Sequence, residues 1–582
     1  MYNLFSQIIY SRLEKPAHIR LLANLVTIMS LILAAKAALD VFRKRHFGRI
    51  CSAYPCVYLE GTEKSPLTSQ ESMYNAMKCI KVPEGNYNDS LLTFRSRSGF
   101  IYGLVLFFMA TSISFCDQAN WQSRIAAKPA QGVLGFIISA YIWFSIPMAI
   151  SLTASMSYLS MSYKNGTHLL TDFDIDSGFI TPYVMEEIMG STGGLFVDTA
   201  VTMALMSTGS GEVMAVSSIL VYDIYKTYIN PFRKTATPTC CQLCGKEKVS
   251  PIIKKTEAEE IQQLCACVSA DNCKDCADDI MLLIEGKKSY DLRYNCQIHG
   301  LYRHYEDLLI DRKGWCIVWV TIAIVPYGLI IISSGVNLNW AVFTMQSLIS
   351  PFLTPLLLTI AWSKSTSAGV IAGSVTGLVA AIAGILIVAG TVYSDLKNNF
   401  LKNTSSDYSL LAGTVSGIVV SLVVTVVVSL ATNKVKNSDE SEREWEKTVS
   451  IDNPLNSWKR LYKEELSFVP TGTRITSQHM AHIFRSARLV AYIGGGFSLL
   501  LFIVILPSIM LSFEVLSYDQ FTGFLKFTQV WCMIAAAFAI VVPPIEEIIQ
   551  ILREIKKNKT EKNLKHDGSL QANDQYGQSS RL

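Results

Sequence analysis

Residues Ser365–Ser394 read STSAGVIAGSVTGLVAAIAGILIVAGTVYS, with no Asp, Glu, Lys or Arg among them. Coiled as a helix at about 1.5 Å per residue, such a run is longer than the hydrocarbon core of a bilayer, about 30 Å. Charge-free windows of the same kind recur at 98–116, 129–163, 314–363, 408–433 and 489–513. Over the whole chain of 582 residues 50% are hydrophobic and 17% charged, where soluble chains carry about 25% charge. The mean hydropathy is +0.30. This distribution excludes a soluble multidomain enzyme. The net charge of +4 gives no reason to expect a nucleic-acid partner. Met1–Pro16 has no apolar core, so no cleaved signal peptide is expected.

Working outward from these windows predicts an all-α, polytopic membrane protein of about ten transmembrane helices. They fall near 17–42, 98–117, 131–162, 192–222, 315–334, 340–362, 366–393, 409–432, 489–513 and 527–546. Pro351 and Pro355 predict a kink in the sixth. Ala368, Gly369, Ala372, Gly373 and Gly377 predict close helix packing in the seventh. The segment 223–314 carries fourteen Lys and Arg, and 433–488 and the tail after Leu552 are also basic. The positive-inside rule therefore puts these three in the cytoplasm. The segments 163–191, 335–339, 394–407 and 514–526 are then outside, with sequons at Asn165 and Asn403; alternation puts Asn88 outside as well.

The predicted divisions are 1–97, an N-terminal helix and polar loop; 98–230, membrane core helices; and 231–314, a cytoplasmic Cys-rich insert. They continue with 315–432, core and following helices; 433–488, a cytoplasmic linker; 489–552, C-terminal helices; and 553–582, a disordered tail. One disulfide among Cys51, Cys56 and Cys79 is compatible with an outer loop.

The insert carries the sharpest local chemistry. Eight of the fourteen cysteines lie between Cys240 and Cys296. The order is Cys241-x2-Cys244, Cys265-x-Cys267, Cys273-x2-Cys276 and Cys296-x2-His299. A two-residue gap lets both side chains reach one tetrahedral ion, and a reducing cytosol disfavours disulfides. Seven thiolates and one imidazole suit structural zinc, enough for about two ions at four ligands each. The order resembles a RING-type cross-brace, in which pairs one and three share an ion and pairs two and four the other. That resemblance implies a membrane-tethered ubiquitin ligase as one alternative function. A simple sequential pairing stays open beside it.

Two segments carry a family resemblance. The first runs Phe115-Cys116-Asp117-Gln118-Ala119-Asn120-Trp121-Gln122 and then Arg124-Ile125-Ala126-Ala127-Lys128-Pro129. The second runs Ala204-Leu205-Met206-Ser207-Thr208-Gly209-Ser210-Gly211-Glu212 and, further on, Tyr222-Asp223-Ile224-Tyr225-Lys226-Thr227-Tyr228-Ile229-Asn230-Pro231. Together they resemble the urea–proton symporter branch of the sodium:solute symporter family. The resemblance implies a LeuT-type inverted-repeat bundle in which discontinuous helices hold solute at mid-membrane. It implies that 98–117 is core helix six and that 131–162, 192–222, 315–334 and 340–362 are core helices seven to ten. Counterparts of core helices one, two, four and five are not recognised in 1–97. The expectation is therefore a partial bundle that transports little by itself, with an oligomer or a full-length relative as partner. A non-transporting membrane regulator is the other alternative.

The resemblance further implies cation-coupled symport of urea, or of a similar small polar solute, and not enzymatic chemistry. It implies residence in the plasma membrane, with a proton or sodium as the coupling ion. Ser207 and Thr208, with the backbone carbonyl near Ala204, would form part of a cation site. Against this, hydroxyls on membrane helices often bond back to the preceding turn. Ionisable groups inside a bilayer cost at least about 2.5 kcal/mol, so Asp117 and Glu212 need a reason to be there. Urea offers four N–H donors and one carbonyl. A carboxylate could accept two of the donors while Gln118 or the Trp121 indole donates to the carbonyl. A membrane carboxyl could also carry the coupled proton. The structural alternatives are an Asp117–Arg124 pair and a Glu212 that only ties the bundle together.

Overall fold

The computed structural model describes chiefly residues 70–80, 85–126, 129–233, 273–276, 296–393, 395–433 and 477–578, with a few single positions between them. Among the described residues nine helices are long and apolar enough to cross a membrane, and the chain is an all-α, multi-pass membrane protein. The span expected at 17–42 lies outside the described residues.

Helix α1 (Gln70–Cys79) precedes the first span, α2 (Arg97–Cys116). Short α3 (Gln118–Ala126) leads into α4 (Pro129–Asn165), and α5 (Ile180–Met189) into α6 (Ser191–Ser218). α6 continues as a π-helix through Ile229. Helix α7 (Gly300–Ser333) starts well before the 315 expected from hydropathy. Its first turns are amphipathic, with Tyr302, Tyr305 and Leu309 buried, so they form helix outside the apolar window. α8 (Leu338–Ile349) and α9 (Leu353–Ala361) form one broken span, joined by a 3-10 turn at Ser350–Phe352. The break falls at Pro351, which has no N–H for a helical bond. α10 (Ser367–Thr391) and α11 (Asp407–Thr432) follow. α12 (Arg485–Leu499) passes through a π-helical segment into α13 (Leu506–Ser512), and α14 (Tyr518–Gln578) is last. α14 runs through most of the tail predicted to be disordered. Glu, Lys, Leu and Gln favour helix there even though the segment has little to bury.

Successive spans run in opposite directions, so connections alternate between two ends. At the end expected outside, Met73, Tyr74, Leu92, Tyr158, Met161, Val184, Leu516 and Phe521 form one buried cluster. Tyr74 OH donates to Leu516 O at 2.9 Å. Arg95 donates through Nε to Leu511 O at 2.9 Å and pairs with Glu514 at 3.4 Å. At the same end Ser98 and Tyr393 donate to the two oxygens of Asp407, at 2.7 and 2.9 Å. These bonds tie α2 to the start of α11.

α10 and α11 make the closest helix pair. Gly369, Gly373 and Gly377 face Thr425, Ser421 and Gly417. A Cβ on Gly377 would lie 2.6 Å from Ser421 Cβ and 2.9 Å from Pro351 Cβ. The glycines are therefore a packing surface, as expected from the sequence. Small residues let two backbones approach closely where lipid supplies no hydrophobic drive.

The three outer sequons fare differently. Asn88 is exposed in a left-handed turn at φ 53°, and Asn165 is exposed at the end of α4. Asn403 is only 6% exposed, and its neighbour Thr404 accepts from Trp340 Nε1 at 2.8 Å. A glycan on Asn403 would have to displace that packing. We predict that endoglycosidase treatment shortens the wild-type protein, and equally the Asn403→Gln variant. Loss of the mobility shift in Asn403→Gln would contradict this fold at the outer end. Cys79 carries a free, exposed thiol, and Cys51 and Cys56 lie outside the described residues.

Candidate functional site

Asp117 caps the C-terminus of α2, its N–H donating to Ile113 O at 2.8 Å. Its carboxylate Oδ1 accepts from the Ala119 N–H at 2.8 Å, which turns the chain sharply into α3. Short polar side chains favour such turns because they replace a backbone acceptor. The Trp121 indole N–H donates to Phe115 O at 2.6 Å. In this structure it is thus engaged within the turn and not held ready for a solute carbonyl. Gln118 stands beside it, half-buried. The side chain of Arg124, the alternative partner of Asp117, lies outside the described residues.

α3 packs against α6, which brings the two predicted segments together. Glu212 lies within electrostatic reach of Asp117. Thr208 precedes Glu212 by one helical turn and shares its face. Ser207, Thr208, Glu212 and Ala204 are all exposed. The Ser207 and Thr208 hydroxyls make no hydrogen bond among the described residues, although Ser207 O accepts from Ser210 Oγ at 2.9 Å. By contrast, Ser217 and Ser218 do bond back, to Val213 O and Met214 O at 2.6 and 2.7 Å. The back-bonding expected as the bland role therefore occurs two to three turns further along α6 and not at the candidate pair. Thr208 and Glu212 on one face of α6, Ser207 next to Thr208 in the chain and Asp117 at the turn between α2 and α3 offer two open hydroxyls and two carboxylates, groups that suit a small polar solute or a cation.

The second constellation lies at the start of α7. Cys273, Cys276, Cys296 and His299 converge, with all ligand atoms within 4.8 Å of one another. Cys276, Cys296 and His299 are buried. The Cys273 and Cys296 sulfurs are 3.6 Å apart, and His299 Nδ1 is 3.4 Å from both Cys276 Sγ and Cys296 Sγ. A disulfide would need a sulfur separation of about 2.05 Å. Burial pushes the Cys276 thiol up to about 12, helped by hydrogen bonding to Cys296 and Cys273. At Cys296 burial acts the same way, but hydrogen bonds from the His299 and Ile298 backbone and from the neighbouring cysteines outweigh it and hold the thiol below its usual range.

Pair three thus meets pair four. A RING cross-brace would join pair three to pair one, so the cross-brace, and with it the ligase reading, is not favoured. The connection between Cys276 and Cys296 lets the chain fold back on itself, and neighbouring pairs meet at the lowest loop-closure cost. Cys241, Cys244, Cys265 and Cys267 lie outside the described residues.

The sequence is similar to two transporters of known substrate name. It is 32% identical over 157 residues to the urea-proton symporter DUR3 of Oryza sativa subsp. japonica, a stretch that covers 27% of this chain and 21% of that protein. It is 32% identical over 152 residues to the urea active transporter of Saccharomyces cerevisiae, covering 25% of this chain and 21% of that protein. The aligned stretch therefore spans about a fifth of the length of either relative. No family model and no solved structure matches the chain.

Proposed function

We propose that this chain carries out cation-coupled movement of urea, or of a similarly small polar amide, across a membrane. One observation carries the reading: α3 and α6, from segments far apart in sequence, bring Asp117 near Glu212, beside the open hydroxyls of Ser207 and Thr208. The carboxylates accept the amide N–H groups, and Gln118 donates to the carbonyl. The names of the relatives make urea the first solute to test and the proton the first coupling ion, with sodium at the hydroxyl pair as the alternative.

The alternative is a membrane regulator that works with another transporter chain, which the names of the relatives do not favour. Labelled urea uptake separates the two in a cell lacking its own urea transporter. Transport predicts uptake above background that falls when the proton gradient is collapsed. Background uptake in a well-expressed, membrane-inserted protein would reject the transport reading. On the cytoplasmic side we propose a structural zinc ion at the Cys3His group, because three thiolates with one imidazole suit a borderline-soft ion.

A further inference from the structure

The Cys3His group sits at the root of a membrane helix. His299 is the N-cap of α7, and Cys296 lies one turn before it. Three residues further on, Tyr302 begins the buried face of α7. Tyr302 and Tyr305 pack on the Phe232 ring at 5.1 and 5.2 Å, and Tyr305 OH donates to Asn230 O at 2.6 Å. Val221 and Leu243 complete this cluster. The side chain of Arg233 donates to Leu243 O. α6, which carries Ser207, Thr208 and Glu212, thus leaves the membrane against the first turns of α7. Tyr294 joins the same base, donating from its OH to Asp307 Oδ2 at 3.2 Å.

The separations also fit one ion. Tetrahedral zinc at about 2.3 Å from sulfur and 2.05 Å from nitrogen sets sulfur–sulfur edges near 3.8 Å and sulfur–nitrogen edges near 3.6 Å. Three of the six separations, at 3.6, 3.4 and 3.4 Å, lie close to those edges, and all six are within 4.8 Å. Four protein ligands close the coordination shell, which is the mark of a structural and not a catalytic zinc site.

We infer that Cys273, Cys276, Cys296 and His299 form a self-contained single-zinc clasp that fastens the cytoplasmic insert to the junction of α6 and α7. The clasp rests on the zinc assignment proposed above and is independent of which solute is carried. Cys273 and Cys276 come from the middle of the insert, whereas Cys296 and His299 stand near its end and lead directly into α7. The ion therefore ties a soluble segment to the base of a span and restrains the exit of α6. Removing it frees the first turn of α7 and loosens the helix that carries the candidate solute groups.

The test uses the full-length protein in detergent. Elemental analysis should find about one zinc ion fewer per chain in Cys276→Ser than in the wild type. His299→Cys should keep that ion, because four thiolates also make a zinc site, and His299→Ala should lose it. Chelation of the wild type should speed hydrogen exchange in peptides covering 219–232 and 296–309, and leave 513–525 at the outer end unchanged. Equal zinc content in wild type and Cys276→Ser would remove the site. Loss of zinc with unchanged exchange in both peptides would remove the clasp. These readouts stand whether or not the protein moves urea, so failure of the clasp and failure of the transport reading are separately visible.

Discussion

Glu212→Gln is expected to cut the initial rate of urea uptake about ten- to a hundredfold, at unchanged surface expression. The amide keeps the shape of the side chain but not its charge or its capacity to bind and release a proton. A hydrogen bond to a charged group contributes about 1.5–3 kcal/mol, and each 1.4 kcal/mol is about a factor of ten. Asp117→Asn should act in the same direction and by less, because Asp117 already spends one oxygen on the Ala119 N–H. The two variants should be less than additive, since groups within electrostatic reach act as a unit. The measurement is uptake with an inward proton gradient against uptake at equal pH. Gradient-dependent uptake at the wild-type rate in Glu212→Gln would remove this residue from the site. If sodium is the coupling ion, Ser207→Ala and Thr208→Ala should instead shift the sodium dependence.

The second large effect concerns stability. Gly377→Val should lower the Tm of the purified protein strongly, whereas Gly328→Val should leave it nearly unchanged. At Gly377 the added carbon meets Ser421 and Pro351 inside contact distance, whereas at Gly328 nothing lies within 4 Å. Overpacking an ordinary core costs about 1–3 kcal/mol. Here the added carbon meets two Cβ atoms, which move only with their own backbones, and Gly417 O at 3.0 Å. The pair α10–α11 and the broken span at Ser350–Phe352 share this contact, so the damage reaches three spans. Thermal unfolding followed by size-exclusion of the remaining monodisperse protein provides the comparison. Equal Tm values for the two variants would show that the glycine face is not a packing surface.

Local reading served well where the governing energy is local. The cost of placing a residue in hydrocarbon is nearly a sum over single residues. Charge-free runs therefore located the spans at Arg97–Cys116 and Asp407–Thr432 to within about two residues, inside the usual scatter of helix ends. The start of α7 was missed for the same reason. Gly300 to Lys313 is polar enough to look like loop, and only the cluster of Tyr302, Tyr305 and Leu309 against Phe232 shows why it is helix. The engagement of the Trp121 indole by Phe115 had no sequence signal, because it depends on the angle between α2 and α3.

By itself the sequence determined the membrane class, the positions of the apolar spans and the proximity of Cys and His side chains separated by two residues. Each of these follows from composition or from spacing within a few residues, where chain geometry leaves little choice. Only the tertiary structure decided that Cys273 and Cys276 meet Cys296 and His299, that Asn403 is buried while Asn88 is open, and that Asp117 lies near Glu212. It also decided that Gly377 lies against Ser421. Those outcomes join residues far apart along the chain. Which distant residues meet is set by packing of whole helices and by loop closure, and the residues at the two ends of such a contact do not encode it separately.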